Sequence, residues 1–570
     1  MGSSLFRKKS IDKILSDQKE IEALEGSHMV RNLGVRDLTF LGVAAIIGAS
    51  IFSAIGQASA NGGPAVSLLF IFTAIACMFT AFCYARFAST VPISGSAYTY
   101  AYTSLGEFIA WILGWNLLLE YAISNVAVAI SWSKYFVDLL EGLGMHVPEY
   151  LTMDFLSARR AFNEVEPLLA SGQQLSNLSV NLREGYTAYA EAPVLFGWHV
   201  VANLPALVIT IGITYLVYIG IKESKNMNNI LVVLKLLVIA IVVGVGAFYV
   251  QVDNWTPFAP NGIAGVLKSV AAVCFAYIGF DSISTTAEEC KDPQRDIPKA
   301  MMWALGICTI LYVLVTLVLT GIVPSGTLTG IEDPLAYMFT IVGLHGVAGI
   351  VAASAVIALT SALLVYQLGQ PRIWMTMSRD GLLPKAFSRI HPKYRTPSFS
   401  TVMTGVLVGF PALFANLEEV INLSSIGTLF AFVLVCGGVL ILDLNPENQE
   451  KSKFKIPYFN AQYIIGLSFF VALLVFWPDS FGNWIDSHFS GTEIANTWIM
   501  TTFLILWFLL SIVSFLKKLS LIPVLGLLIN LYLMTQMGAA NWERFFYWCL
   551  VGVAIYFAYG YQKSKLRVES

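Results

Sequence analysis

Long apolar runs alternate with short polar stretches along almost the whole chain. A hydrocarbon core about 30 Å thick needs roughly 20 apolar residues per helix. Qualifying runs lie near 38–58, 65–88, 107–136, 199–221, 228–250, 264–288, 299–323 and 346–370. Others follow near 398–415, 419–442, 461–478, 498–516, 519–536 and 543–562. The pattern predicts about fourteen transmembrane helices. Strands of a membrane barrel would alternate apolar and polar residues over roughly ten-residue segments, and this chain does not. The expected fold class is all-α integral membrane.

Composition agrees: 56% of the 570 residues are apolar and 12% are charged, against about 25% charged in a soluble domain. The net charge of −2 excludes nothing by itself; position matters more. With a cytoplasmic N-terminus, the inner loops collect Lys222, Lys225, Lys291, Arg295 and Lys299. They also collect Arg372, Arg379, Lys385, Arg389, Lys393, Arg395, Lys451, Lys453, Lys455, Lys517 and Lys518. The outer loops hold almost none, which is the bias that sets topology. Both termini are therefore expected in the cytoplasm, at the plasma (cell inner) membrane.

Residues 1–34 form a polar N-terminal tail with no signal-peptide core, although Ile11, Ile14, Leu15 and Ile21 could line a surface helix. Between 141 and 197 the chain turns polar. This segment is expected as an extracytoplasmic insert between helices 3 and 4, with helix of its own near 155–170. It carries a glycosylation-type tripeptide, Asn177-Leu178-Ser179. The seven cysteines lie in or beside the spans and read as small apolar fillers. No metal site and no cofactor is expected.

Polar solutes bound at membrane depth need exposed backbone groups, which are tolerated only where a helix breaks beside a cavity. Two spans offer such breaks: Ile46-Ile47-Gly48-Ala49-Ser50-Ile51-Phe52 in the first and Phe275-Ala276-Tyr277-Ile278-Gly279-Phe280-Asp281 in the sixth. Singly, small residues in membrane helices usually mark packing. A pair, one opening each five-helix half, points to the binding site of an inverted-repeat transporter. Gly48 is the expected pivot, because glycine lets a ligand approach the backbone.

Longer motifs narrow the class. They are Asp37-Leu38-Thr39 leading into the first break, Pro92-Ile93-Ser94-Gly95-Ser96-Ala97-Tyr98, and Gly114-Trp115-Asn116-Leu117-Leu118-Leu119-Glu120-Tyr121. After helix 6 come Thr285-Thr286-Ala287-Glu288-Glu289 and Asp292-Pro293-Gln294-Arg295-Asp296-Ile297-Pro298. After helix 8 come Gly369-Gln370-Pro371-Arg372 and Met377-Ser378-Arg379-Asp380-Gly381-Leu382-Leu383-Pro384. Over residues 31–442, apart from the insert, the chain resembles bacterial relatives of the cationic amino acid transporters in the amino acid–polyamine–organocation (APC) superfamily.

The resemblance implies a ten-helix core over 35–442 with the leucine-transporter-like inverted five-helix repeat. About four additional helices over 443–562 and a tail at 563–570 would follow. It implies amide donors from Ala49, Ser50 and Ile51 for a substrate carboxylate. Carbonyls of Ile47, Phe275, Ala276 and Ile278 would take the ammonium, and Phe275 would close over it. The family usually has glycine where Ser50 stands, so its side chain would narrow the carboxylate pocket. The resemblance also implies a lysine, Lys235, in the place that sodium takes in sodium-coupled members of the wider fold. A snorkelling lysine is the plainer reading. Tyr366 would face the substrate side chain and shorten the pocket, or simply pack.

Glu120 lies mid-helix, where charge is costly and usually functional: a proton carrier, a partner of the substrate side chain, or a packing carboxylate. Asp281 could cap the second half of helix 6. The expected activity is secondary active import of small or medium neutral L-amino acids, coupled to protons and independent of sodium. A cationic amino acid or polyamine exchanger and a transporter-like sensor remain alternatives. Scattered histidines and the absence of a Gly-x-x-x-x-Gly-Lys-Ser/Thr loop argue against an enzyme or ATP-driven pump. The partners expected are substrate, protons and lipid, with no nucleic acid.

Overall fold

The computed structural model describes residues 5–10, 33–91, 96–219, 224–287, 290–331, 333–394, 396–444, 454–476 and 494–568. Residues 11–32, Pro92, Glu288, Glu289, Lys222, Arg395, Lys451 and Lys453, all singled out above, lie outside them. Helix dominates because every backbone polar group inside a bilayer must be satisfied within its own segment.

The first span is discontinuous: α1 (Val35–Ile46), a π-helical turn (Ser50–Ala54) and α2 (Ile55–Gly62). Then come α3 (Val66–Thr90), the short α4 (Ser96–Ser104) and the long α5 (Glu107–Gly142). The insert supplies α6 (Phe155–Ala170), α7 (Val180–Glu191) and a hairpin pairing Val194–Leu195 with Trp198–His199. The core continues with α8 (Leu204–Ile219) and α9 (Ser224–Gly246). The sixth span is α10 (Gly262–Lys268), α11 (Val270–Tyr277) and α12 (Ser282–Thr285). After it run α13 (Pro293–Ile322), α14 (Pro334–Ile341), α15 (His345–Arg379), α16 (Ser398–Phe414) and α17 (Leu417–Asp443). Last are α18 (Ile464–Phe476), α19 (Ile494–Lys517), α20 (Leu521–Thr535) and α21 (Ala539–Ile555).

Helix occupies each predicted apolar run. Eight helices among the described residues are long and apolar enough to cross a membrane. Leu204–Ile219, Ser398–Phe414 and Ile464–Leu473 are shorter apolar helices. Leu521–Thr535 and Ala539–Lys563 pass that test only together, and they bend by 111°. Two independent spans were expected there; Gly538 at φ +76° opens the turn between them.

α5 runs through the middle, with α15 and α17 along it, while α13 packs on α3 and α1. Close approach depends on small residues: a Cβ at Gly42 would sit 2.5 Å from Ile283 Cδ1. The insert has a small core of its own, with Ala158 and Ala188 buried in it. Phe162 stacks on Tyr186 with ring centroids 5.3 Å apart, and Asp154 caps α6 by accepting from Ser157 N at 2.9 Å. It docks through Lys134–Glu184 and Arg160–Glu419, each at 3.2 Å.

The two chain ends meet on one face. Lys9 Nζ pairs with Asp380 Oδ1 at 3.0 Å, and Lys565 N donates to Asp380 O at 3.1 Å. Nearby, Ser564 Oγ donates to Glu107 Oε2 at 2.5 Å and Tyr556 Oη to Glu107 Oε1 at 2.9 Å.

Candidate functional site

The final four carbonyls of any α-helix lack intrahelical partners. In α1 these belong to Ala44, Ala45, Ile46 and Ile47, since Ile47 N makes the last regular bond to Val43 O at 2.9 Å. Ile47 turns the chain out of the helix at φ −83°, ψ 76°. Side chains of three other helices then reach the four oxygens. Lys235 Nζ on α9 donates to Ile47 O at 2.6 Å and Ala44 O at 3.2 Å. Tyr366 Oη on α15 donates to Ala45 O at 3.2 Å. Tyr312 Oη on α13 lies 2.9 Å from Ile46 O and 2.7 Å from Ala276 O. Thus Tyr312 spans the two broken helices.

Each site residue named from the sequence has a definite place. Ser50 turns its hydroxyl back to Ile46 O at 2.7 Å and to Tyr312 Oη at 2.8 Å, so the hydroxyl is engaged by its own helix rather than projected into a pocket. Ala49, Ser50 and Ile51 are buried in the first turn after the break, where amide N–H groups lack intrahelical partners. Phe275 and Ala276 are buried in α11, and Ile278 at ψ 140° carries the chain out of it. Ile278 N donates to Phe275 O at 3.1 Å.

Gly48 and Gly279 divide the roles that one glycine was expected to fill. A Cβ on Gly48 would lie 3.2 Å from Ala362 Cβ and 3.6 Å from Val128 Cγ2, so this glycine lets α15 and α5 approach. Gly279 carries the unusual backbone, at φ +108°. A Cβ there would meet Ala45 Cβ at 2.9 Å and Tyr366 Oη at 3.1 Å. The breaks touch each other at this point.

Below the breaks Glu120 and Asp281, both buried, interact electrostatically. Asp281 makes no capping bond to α12. Its Oδ2 accepts from Tyr121 Oη at 3.4 Å instead, and Tyr121 packs edge-on to Tyr366 with centroids 5.9 Å apart. Glu120 Oε2 and Asp281 Oδ1 are buried without hydrogen-bond partners. Above the breaks a cavity of about 490 Å³ opens between Ser53, Gln57, Lys134 and the insert residues Arg160 and Glu184.

Sequence reasoning missed Tyr312. A signal existed: Thr309, Tyr312, Thr316 and Thr320 repeat at helical spacing along the otherwise apolar part of α13 that follows Lys299. The described residues hold no cluster of three or more His, Cys, Asp or Glu suited to a metal ion.

Comparison with known proteins adds the family. The profile of the family described as "Amino acid permease" matches residues 33–555, so the likeness extends past residue 442 into the C-terminal helices. The Branched-chain amino acid permease BcaP of Bacillus subtilis (strain 168) is 36% identical over 566 residues, 99% of this chain and 100% of that protein. The Methylthioribose transporter of the same organism is 39% identical over 458 residues, covering 80% of this chain and 89% of that protein. Cationic amino acid transporter 9, chloroplastic, of Arabidopsis thaliana is 30% identical over 578 residues, 98% of this chain and 92% of the relative.

Proposed function

The chain belongs to the amino acid permease family of the APC superfamily, and from that premise we propose that it imports neutral L-amino acids of medium size by proton-coupled, sodium-independent alternating access. The observation that carries this reading is the set of four freed α1 carbonyls held by Lys235, Tyr366 and Tyr312. A substrate ammonium replaces the tyrosine donors at Ala45 O and Ile46 O, and the amides after the break take its carboxylate at a helix N-terminus. Lys235 already supplies a positive charge beside Ile47 O, where a metal cation would otherwise bind, which supports independence from sodium. Glu120 and Asp281, with no cation bonded to either among the described residues, offer a place to hold a proton.

Substrate size follows from Tyr366, whose ring closes the side-chain end of the site, and from the printed name of the full-length relative. Lys9 and Lys565 lie against Asp380, on the face of the basic loops, which supports a cytoplasmic orientation in the plasma membrane. The paired breaks in the first and sixth spans support an inverted five-helix repeat within about fourteen spans.

Proteoliposome uptake of a radiolabelled amino acid panel tests the proposal, with a pH gradient and sodium varied separately. Leucine, isoleucine or valine should enter faster with an inward proton gradient and be indifferent to sodium. Strict sodium dependence, or preference for arginine over these three, overturns it. Competition by methylthioribose in the same assay would assign the site to that relative's chemistry instead.

A further inference from the structure

On the face that carries the basic loops, a second cavity of about 460 Å³ separates the core from the C-terminal helices. Its walls are Arg86 on α3, Asp443 at the end of α17, the segment of Lys455 and Tyr458, and the turn from α19 to α20. Arg86 Nε and Nη2 bond Asp443 Oδ1 at 3.1 and 3.0 Å, so these two charges offset each other. Lys455, Lys517 and Lys518 remain, and the described structure pairs none of them with a carboxylate. The described lining of the cavity therefore carries net positive charge.

Its rim is held in place by several bonds. Tyr458 Oη donates to Lys518 O at 2.8 Å, Ala461 N to Leu519 O at 3.0 Å, and Leu521 N to Phe459 O at 2.7 Å. Lys518 sits at φ +50°, a conformation that persists in a side-chain-bearing residue only where its surroundings impose it. Ser520 occupies the cap position of α20 but makes no capping bond, and its Oγ is buried without a partner. The positive end of that 15-residue helix thus faces the cavity with a hydroxyl to spare.

Apolar surface adjoins the opening, since Tyr463, Phe515 and Leu516 are exposed there. An occupant with an anionic head and apolar tails matches both parts. Basic pockets between transmembrane helices recognise anionic headgroups in this way. We propose that this cavity binds the phosphodiester headgroup of an anionic phospholipid. Lys455, Lys517 and Lys518 meet its oxygens, Ser520 Oγ donates to one, and the acyl chains lie along α19. A soluble phosphate shares the headgroup chemistry but has no use for the apolar rim.

The test is thermal denaturation of the purified full chain in detergent, titrated with mixed micelles containing phosphatidylglycerol or phosphatidylcholine, and separately with inorganic phosphate. Phosphatidylglycerol should raise the Tm above phosphatidylcholine. Each lysine near an anionic surface contributes about fivefold in affinity. A K455Q/K517Q/K518N variant should therefore need on the order of 100-fold more phosphatidylglycerol for half the effect. Asn at 518 tolerates the backbone there. If the triple variant fails to fold, K455Q alone on the exposed segment should show the fivefold shift. An unchanged titration in a folded variant overturns the site. An equal gain from inorganic phosphate, with nothing added by lipid, overturns the lipid headgroup as occupant.

Discussion

Tyr312→Phe removes one oxygen and leaves the ring in place, so it opens no cavity at the bridge between the broken helices. In the intact protein Ile46 O has three donors within reach, Ser50 Oγ at 2.7 Å, Tyr312 Oη at 2.9 Å and Gly48 N at 3.0 Å. Ala276 O has Tyr312 Oη at 2.7 Å, and its helix ends one residue later. The substitution therefore strands one buried carbonyl and leaves the other served. An unsatisfied buried acceptor costs about 1–3 kcal/mol, equivalent to roughly 5- to 150-fold in the population of this arrangement. Ser50→Ala alone leaves Ile46 O with Gly48 N and should cost only about 0.5–1.5 kcal/mol. The double variant still leaves Gly48 N on Ile46 O, so only Ala276 O is stranded and its effect should lie near the sum of the two. Initial rates of leucine uptake in proteoliposomes, normalised to reconstituted protein, read all three. A Tyr312→Phe rate within twofold of wild type would refute the bridge.

Lys235→Met strands the carbonyls of Ala44 and Ile47 at about 1–3 kcal/mol each; uptake should fall at least tenfold with normal membrane insertion, and robust proton-stimulated uptake by this variant would remove Lys235 from coupling. Tyr366→Ser shortens the side chain that reaches Ala45 O, so the variant should accept longer substrates such as arginine; an unchanged substrate profile would return Tyr366 to a packing role. Gly279→Ala meets both φ +108° and Ala45 Cβ at 2.9 Å, with about 1–3 kcal/mol for the backbone alone. It should lower ligand-induced thermal stabilisation far more than Gly48→Ala, and the reverse order would mean that Gly48 is the working hinge. Ser50→Gly keeps the backbone amide and should preserve leucine binding in the same assay; loss of binding would show that the hydroxyl itself touches substrate.

The apolar helices were legible because a hydrocarbon core demands long apolar runs, and both breaks were visible as small residues inside otherwise apolar runs. What fills the breaks was not. Tyr312 lies 266 residues from Ile46, and a lone tyrosine in an apolar helix looks like any packing aromatic until the fold brings it to a bare carbonyl. Gly48 and Gly279 look alike in sequence, yet one accommodates neighbouring helices and the other a positive φ. Asp281 follows the break as a cap residue should, but tertiary contact with Tyr121 takes its carboxylate away from α12. Local chemistry predicts what a residue is able to do, and the partner that reaches it first decides what it does.

The meeting of the chain ends carries a topological consequence. Lys9 and Lys565 both bond Asp380, so these two residues lie together at one end of the helical bundle. A path that returns to its own side has crossed an even number of times. If the twelve helical spans before Leu521 each cross once, the bent pair that follows adds an even number as well. On that count it goes across and back, or it dips in and returns, since a single broken crossing would leave the parity odd. Arg544, near the start of the second arm, stands 3.6 Å from Glu419 at the opposite end of the bundle. That contact is what an arm reaching the far side would make.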